Sequence, residues 1–264
     1  MNLDDEGQFF FERLDATRFR STRATVGPWS PDLQHASAPA ALVGHVLEQV
    51  NPQPGARIAR VSVEILGPIA VDEITVTAEI LRPGKRVALL GATASVRGRP
   101  TLRASAWQIV AEPGRSPAVG HREPAPPLPP EQAQRFFPGI EAFPYAEAFE
   151  WRFVDGGFHR LGPATVWARC RIPLVRGESI SPLGRVLAMV DSANGASAEL
   201  PMLDWTFVPV DLTLVLGRNP EGEWVGMEAS TTIEHDGVGV ARTRLFDAQG
   251  TIGHSLHTLF VAPR

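Results

Sequence analysis

This chain of 264 residues lacks several features on which whole protein classes depend. Its single cysteine, Cys170, excludes an intramolecular disulfide and is typical of a reducing compartment, so we expect a cytoplasmic protein. Residues 1–6 are acidic and lack the apolar core of a signal peptide. No apolar run approaches the roughly 20 residues that a membrane-spanning helix needs.

Positive charge is also scarce. The formal net charge is -4 at pH 7 and the arginines are scattered, which argues against a nucleic-acid surface. The histidines lack metal-ligand spacing, since His254 and His257 fall on opposite faces of a predicted strand. A Gly-x-Ser-x-Gly elbow, a P-loop and a dinucleotide fingerprint are all missing. We therefore expect no metal, no other cofactor and no serine nucleophile.

What the sequence does contain is a pattern that occurs twice. In each half a short polar segment precedes an apolar helical stretch, predicted at 40–50 and at 183–193, with the apolar spacing i, i+3, i+4, i+7. Four strand-like runs follow each helix, at 57–67, 72–82, 86–97 and 101–110, and again at 205–217, 223–234, 238–247 and 251–262. Further strands are predicted near 18–25, 147–154 and 163–174.

The gaps between these runs have hairpin length, which predicts antiparallel neighbours. Each half has one helix to cover the apolar face of its sheet. The pattern therefore predicts an α+β fold of two tandem units that stand face to face, with the functional site between them. We place the first unit at 1–111, a proline-rich linker at 112–135 and the second unit at 136–264.

Short segments spread over most of the chain resemble one known family. They are 27–35 and 39–42 in the first half, and 182–186, 191–195, 205–207, 211–214, 222–226 and 245–261 in the second. In this order and spacing they are similar to acyl-CoA thioesterases with a double hotdog fold. The resemblance implies two tandem hotdog folds, each a curved antiparallel sheet wrapped around a central helix. It also implies association through the exposed sheet face, from which we expect a homodimer.

The resemblance further implies hydrolysis of fatty acyl-CoA to a free fatty acid and coenzyme A, with a water activated by an aspartate. Asp191 matches that aspartate and lies four residues after Leu187, at the edge of the buried stripe. Partial burial would raise its pKa and improve it as a general base. The alternative is a helix-end aspartate bonded to Ser192 or Asn194. Asn194 and Gly195 are expected to end the helix and to contribute to substrate binding.

Two further positions depart from the family's pattern. Its hydroxyl position falls at Pro209, so Thr213, on the opposite face of the same strand, is the candidate hydroxyl, although threonine is also common in strands. Its glutamine position falls at His257, which can hydrogen-bond the water or the thioester oxygen, or protonate the leaving thiolate. His257 can equally be a core histidine.

His35 is the candidate of the first half. It comes just before a predicted helix N-terminus, where free N–H groups bind an oxyanion or a phosphate, and it can also serve as a local cap or packing residue. Two other functions stay open. One is an acyl-CoA or lipid-binding protein with a degenerate site, which Pro209 and His257 favour. The other is an enoyl-CoA hydratase, for which the stretch 181–191 lacks the histidine.

Overall fold

A computed structural model describes residues 8–140 and 142–264, so the acidic segment 1–6 lies outside the described residues. The first half consists of β1 (Phe11–Arg13), β2 (Arg18–Ser21), helix α1 (Ser37–Val50), β3 (Ala56–Ile65), β4 (Glu73–Arg82), β5 (Val87–Val96) and β6 (Arg99–Val110). The second half consists of α2 (Pro144–Glu147), β7 (Phe149–Asp155), β8 (Ala164–Cys170), α3 (Pro182–Val190), α4 (Ala193–Ala196), β9 (Trp205–Pro209), β10 (Asp211–Leu216), β11 (Val225–Ile233), β12 (Val238–Asp247) and β13 (Gly250–Pro263).

Several elements differ from the sequence-based predictions: α1 begins at Ser37, β1 and α2 are additional, and three further differences concern predicted runs. The run 205–217 is divided into β9 and β10 at Val210, next to Pro209, which has no N–H to donate to the ladder. The second helix ends at Val190 and a short helix follows, so Asn194 and Gly195 lie within a helical turn and do not end α3. The run 18–25 is a strand only to Ser21, and a 3-10 turn covers Arg23–Thr25.

The two halves share one antiparallel sheet. Thirteen described strands form it, and its order is β1-β2-β4-β5-β6-β3-β10-β13-β12-β11-β8-β7, with β9 also paired to β13. Each half has the same internal order, which is β2-β4-β5-β6-β3 in the first half and β8-β11-β12-β13-β10 in the second. The halves meet where β3 pairs with β10, with Val61 opposite Leu214. The expectation of two units face to face is therefore wrong for the sheets, which join edge to edge.

The helices provide the contact between the two cores. The apolar stripe of α1 is buried, and Val186, Leu187 and Val190 of α3 are fully buried. At Gly44 of α1, an added Cβ would lie 2.4 Å from Leu187 Cδ1 of α3. Glycine is unfavourable inside a helix by roughly 0.5–1 kcal/mol relative to alanine, but here it allows α1 and α3 to approach closely. Among the described residues, no helix is long and apolar enough to cross a membrane.

The proline-rich segment lies against the second half. It has no helix or strand. Instead, the side-chain amides of two glutamines make the hydrogen bonds to the backbone of β7 that a neighbouring strand would make. Gln132 bonds to both the N–H and the carbonyl of Phe153, and Gln134 does the same with Trp151. Residues 136–140 and 142–146, which follow these glutamines, therefore enter the site from a defined direction.

Candidate active site

A cavity of about 320 Å³ lies between the two halves and is lined by residues of both. We call it the central cavity. Most of its wall is apolar, and its aromatic lining includes Phe137, Phe143, Trp151, Phe158 and Phe207. Its polar lining includes His35, Tyr145, Asp191, Ser192 and Asn194. A mostly apolar cavity with a few convergent polar groups is the usual form of a small-molecule site.

Asp191 is the carboxylate of this cavity. It directly follows α3, is 5% exposed, and lies beside Ser37, the first residue of α1. Its Oδ1 atom is buried and has no hydrogen-bond partner among the described residues. Burial raises the pKa of Asp191 to about 7, although the Ser37 N–H favours the charged form. The end of one helix thus presents a carboxylate to the N-terminus of the other.

His35 lies beside this carboxylate. Its Nδ1 is 3.4 Å from Asp191 Oδ2 and accepts a hydrogen bond from the Ser37 N–H at 3.3 Å. Burial lowers the pKa of His35 to about 3, and the nearby His257 adds to the effect, so the imidazole is neutral at pH 7. With Nδ1 as an acceptor, the ring proton is on Nε2.

Tyr145 is a site residue that the sequence reasoning missed. Its ring stacks on His35 at a centroid distance of 3.8 Å and an interplanar angle of 3°. Its hydroxyl donates to the Ala188 carbonyl at 2.7 Å and lies 3.0 Å from Ser192 Oγ. Tyr145 therefore connects α3 to His35. It is the only tyrosine of the chain and lies in an aromatic-rich stretch, which was the available signal.

His257 is buried on β13, with 1% exposure, and neither ring nitrogen has a hydrogen-bond partner among the described residues. Burial lowers its pKa to about 4, so it too is neutral at pH 7. The expected alternation is confirmed, because Leu259 and Val261 are buried with it while His254 and Leu256 are exposed. His257 is close enough to His35 to influence its charge but is not part of the cavity wall that the structure describes.

The remaining predicted residues separate into two groups. Asn194 and Gly195 line the central cavity, and Asn194 Nδ2 donates to the Phe207 carbonyl at 3.1 Å. Thr213 is not brought to the cavity. It lies where β3 meets β10, and its hydroxyl is 3.1 Å from Ser62 Oγ. On the same strand, Leu212, Leu214 and Leu216 point into the core instead.

Two other chemistries find no support at this site. Burial raises the pKa of Cys170 to about 11, and its thiol donates to the Ile172 carbonyl, so it behaves as a packing residue. Across residues 8–140 and 142–264, no group of three or more His, Cys, Asp and Glu side chains is arranged to hold a metal ion.

Comparison with known proteins agrees with this arrangement. Residues 25–109 match the family model of the acyl-CoA thioesterase N-terminal domain, and residues 121–261 match that of the acyl-CoA thioesterase C-terminal domain. No curated protein sequence matches the chain.

Solved structures with the same fold share little sequence with this chain. An acyl-CoA thioesterase II from Mycobacterium marinum is 14% identical, with a TM-score of 0.69 over 99% of this chain and 98% of that one. A hot dog fold protein of unknown function from Alicyclobacillus acidocaldarius is 13% identical, with a TM-score of 0.72 over the same shares. A TesB protein from Mycobacterium avium subspecies paratuberculosis is 14% identical, with a TM-score of 0.70 over 99% of this chain and 100% of that one. At such identities the likeness shows the fold alone.

Proposed function

Because the chain belongs to the acyl-CoA thioesterase family and is thus a thioester hydrolase, we propose that a water molecule activated by Asp191 cleaves its fatty acyl-CoA substrate. The products are a free fatty acid and coenzyme A. The observation that carries this proposal is the unpartnered Oδ1 of a buried carboxylate in an apolar cavity. A general base works best when its pKa is near the working pH, because a large fraction of it is then ionised and the ionised form still takes up a proton readily.

The repeated strand order supports two tandem hotdog folds. Both halves place a helix against a five-stranded segment of the same order, and each half matches its own family model. We place the first fold at 1–111, the linker at 112–135 and the second fold at 136–264. The aromatic residues that follow the linker belong to the second fold and line the central cavity.

The reaction needs four contributions from the chain. Asp191 takes a proton from water, and the resulting hydroxide attacks the thioester carbonyl. The C–S bond then breaks, and the departing thiolate of coenzyme A takes the proton back from Asp191. Between these two steps, His35 Nδ1 accepts a hydrogen bond from the protonated carboxyl group, and Tyr145 holds the ring of His35 in place. His257 lies outside the cavity wall, but its neutral, unpartnered imidazole is near His35, and we propose it as the hydrogen-bond donor that replaces the family's glutamine. Asn194 and Gly195 form part of the wall that the substrate contacts.

The pH dependence of hydrolysis tests the state of Asp191. Only the ionised carboxylate accepts a proton, so kcat should rise with pH through an apparent pKa near 7 and level off above it. Below about pH 6, kcat should fall roughly tenfold for each pH unit. A profile of initial rates with one acyl-CoA between pH 5 and 9 measures this. Constant kcat down to pH 5 would show that no group with a raised pKa acts as the base.

The alternative function is binding of acyl-CoA without hydrolysis. Pro209, which lines the central cavity at the family's hydroxyl position, favours it. An acyl-CoA binder with a degenerate site would bind the ligand tightly without turnover. Calorimetric titration of an acyl-CoA, followed by measurement of the free thiol released, separates the two functions. Release of thiol by the parent protein well above the rate of a heat-inactivated sample supports the hydrolase.

We also propose that two chains associate through the outer face of the second half's sheet. The exposed apolar side chains there are Val215, Val238, Val240, Leu256 and Phe260. Phe260 lies opposite Val238 in the β12–β13 ladder, so the group is continuous. Exposed apolar groups of this kind often mark an interface between proteins.

Light scattering should therefore give the mass of two chains at micromolar concentration. Phe260→Glu should shift the protein to the mass of one chain, because a charge on the interface must lose its water. Leu161→Glu is the matched control, since Leu161 is equally exposed but lies in the turn between β7 and β8. A parent protein that is already a monomer would contradict the proposal.

A further inference from the structure

A second, larger cavity adjoins the central cavity. Its volume is about 760 Å³, and its wall carries three arginines, Arg20, Arg23 and Arg176, and one carboxylate, Glu12. We call it the arginine cleft. The chain as a whole has a formal net charge of -4, so a wall with this excess of positive charge is a local feature.

The arginine cleft and the central cavity share part of their walls. Gly27, Pro28, Trp29 and Phe143 line both. The Trp29 ring is held at this junction by an edge contact with Phe207, at a centroid distance of 5.5 Å. An extended ligand can therefore occupy both cavities, with its uncharged middle part along the shared wall.

The guanidinium groups of the cleft are not equally free. Arg20 Nη1 is 3.2 Å and Arg176 Nη1 is 3.6 Å from the carboxylate of Glu12, and Arg20 also contacts Glu73. Arg23 is exposed and takes part in no ion pair or side-chain hydrogen bond among the described residues. Its positive charge is therefore available to a ligand.

The backbone fixes Arg23 relative to the reactive groups. Arg23 begins the 3-10 turn Arg23–Thr25, and the Thr25 carbonyl accepts from the His35 N–H at 2.7 Å. The next residue, Val26, accepts from the Tyr145 N–H at 3.0 Å. The segment that carries the free guanidinium is thus bonded to the two stacked rings beside Asp191.

An acyl-CoA molecule has the charge distribution that this arrangement suits. Its thioester is separated from a diphosphate and a 3′-phosphate by an uncharged pantetheine arm. Arginine is well suited to phosphate because its planar fork donates two parallel hydrogen bonds. We infer that the arginine cleft binds the phosphates of coenzyme A through Arg23, while the pantetheine arm follows the shared wall to the central cavity. This inference rests on the proposed function, because it assigns the substrate's carrier group to a place in the chain.

Two thioesters with the same acyl group test the inference. One is the acyl-CoA and the other is the acyl-N-acetylcysteamine, which keeps the thioester but has no phosphate. Arg23→Glu should raise KM for the acyl-CoA by about tenfold, since a repulsive charge replaces a charge-assisted hydrogen bond. Arg23→Gln should raise it by less. Neither variant should change kcat for the acyl-CoA, nor kcat/KM for the N-acetylcysteamine thioester.

Arg86→Glu is the charge-matched control, because Arg86 is exposed between β4 and β5 and lines neither cavity. It should leave both substrates unaffected. An unchanged KM in Arg23→Glu, or an equal change with both thioesters, overturns the inference. The same acyl group on an acidic carrier protein serves as a third substrate. If Arg23→Glu raises KM for that substrate alone, the inference is also overturned, because the carrier surface would then be the ligand of Arg23.

Failure of the proposed function gives a different result. The parent protein would then turn over neither thioester, and calorimetric titration with coenzyme A and with pantetheine becomes the test. Tighter binding of coenzyme A than of pantetheine, lost in Arg23→Glu, still supports the arginine cleft. Equal binding of the two compounds overturns it.

Discussion

Replacing Asp191 by asparagine should remove thioester hydrolysis and at the same time stabilise the fold. Loss of a general base typically lowers the rate by about 10²- to 10⁴-fold. Asparagine is nearly the same size as aspartate, but it cannot take a proton from water. Measured kcat should therefore fall by at least a factor of about one hundred.

The stability effect follows from the raised pKa. An aspartate has a pKa of 3.8 when unfolded, and burial raises that of Asp191 to about 7 in the fold. Ionisation of Asp191 therefore lowers the free energy of unfolding as pH rises from about 4 to about 7, and this loss stays constant above that range. Asparagine is uncharged throughout, so it removes a penalty of about 2–4 kcal/mol at pH 8 and almost none at pH 4.

Urea unfolding of both proteins at pH 8 and pH 4 measures this difference, beside kcat at pH 8. The exposed Asp204 supplies the control, since Asp204→Asn changes the same atoms outside the central cavity. It should not alter kcat. If Asp191→Asn keeps more than a tenth of the parent activity, another group is the base. If Asp191→Asn changes the free energy of unfolding equally at pH 8 and at pH 4, the Asp191 carboxylate of the parent protein is hydrated.

The central cavity should select short and medium acyl chains, and shortening Phe137 should extend that range. A volume of 320 Å³ holds roughly ten groups the size of a methylene, if each takes about 30 Å³ as a water molecule does. The parent protein should therefore show its highest kcat/KM for acyl groups of about eight to ten carbons. The aromatic ring of Phe137 forms part of the wall, against Phe158 at a centroid distance of 5.4 Å and close to Gly195.

Phe137→Ala removes this ring and should move the optimum to chains two to four carbons longer, roughly. Each methylene that enters the new space contributes about 0.8 kcal/mol, so kcat/KM for the longer chains should rise by about ten- to a hundredfold relative to the parent. A series of saturated acyl-CoA substrates with each variant measures this shift.

Phe153→Ala is the control for Phe137→Ala. It deletes the same atoms from a ring that also packs on Phe158, at 5.2 Å, but Phe153 does not line the central cavity. It should destabilise the protein without changing the preferred chain length. An unchanged preference in Phe137→Ala would show that the acyl chain does not reach this wall.

The repeat was predictable because its signals are local. Apolar residues at helical spacing marked α1 and α3, and alternation with turn residues marked the strands that follow each of them. The resemblance to the thioesterase family identified Asp191, and its place at the end of an apolar stripe predicted its burial. Its expected burial and raised pKa are both found. Its role as the base stays a proposal.

The residues that sequence reasoning missed or misplaced depend on contacts between distant segments. Tyr145 reaches His35 only because residues after the linker fold back over the start of α1. Thr213 was expected near the site, but the pairing of β3 with β10 turns its hydroxyl towards Ser62. The joining of the halves edge to edge, and not face to face, was likewise invisible, since a strand pattern does not say which edges pair.

By itself, the sequence determined two similar α+β halves, the places of their helices and strands, and an aspartate at a helix end. Periodicity and turn chemistry act over a few residues, so these features need no knowledge of the rest of the chain. Only the tertiary structure decided that α1 and α3 pack side by side, with Asp191 after the end of α3 beside the start of α1. It also decided that two rings stack beside Asp191 and that Arg176 joins Arg20 and Arg23 in one cleft. Those contacts join segments more than a hundred residues apart, and the packing of the whole chain alone brings them together.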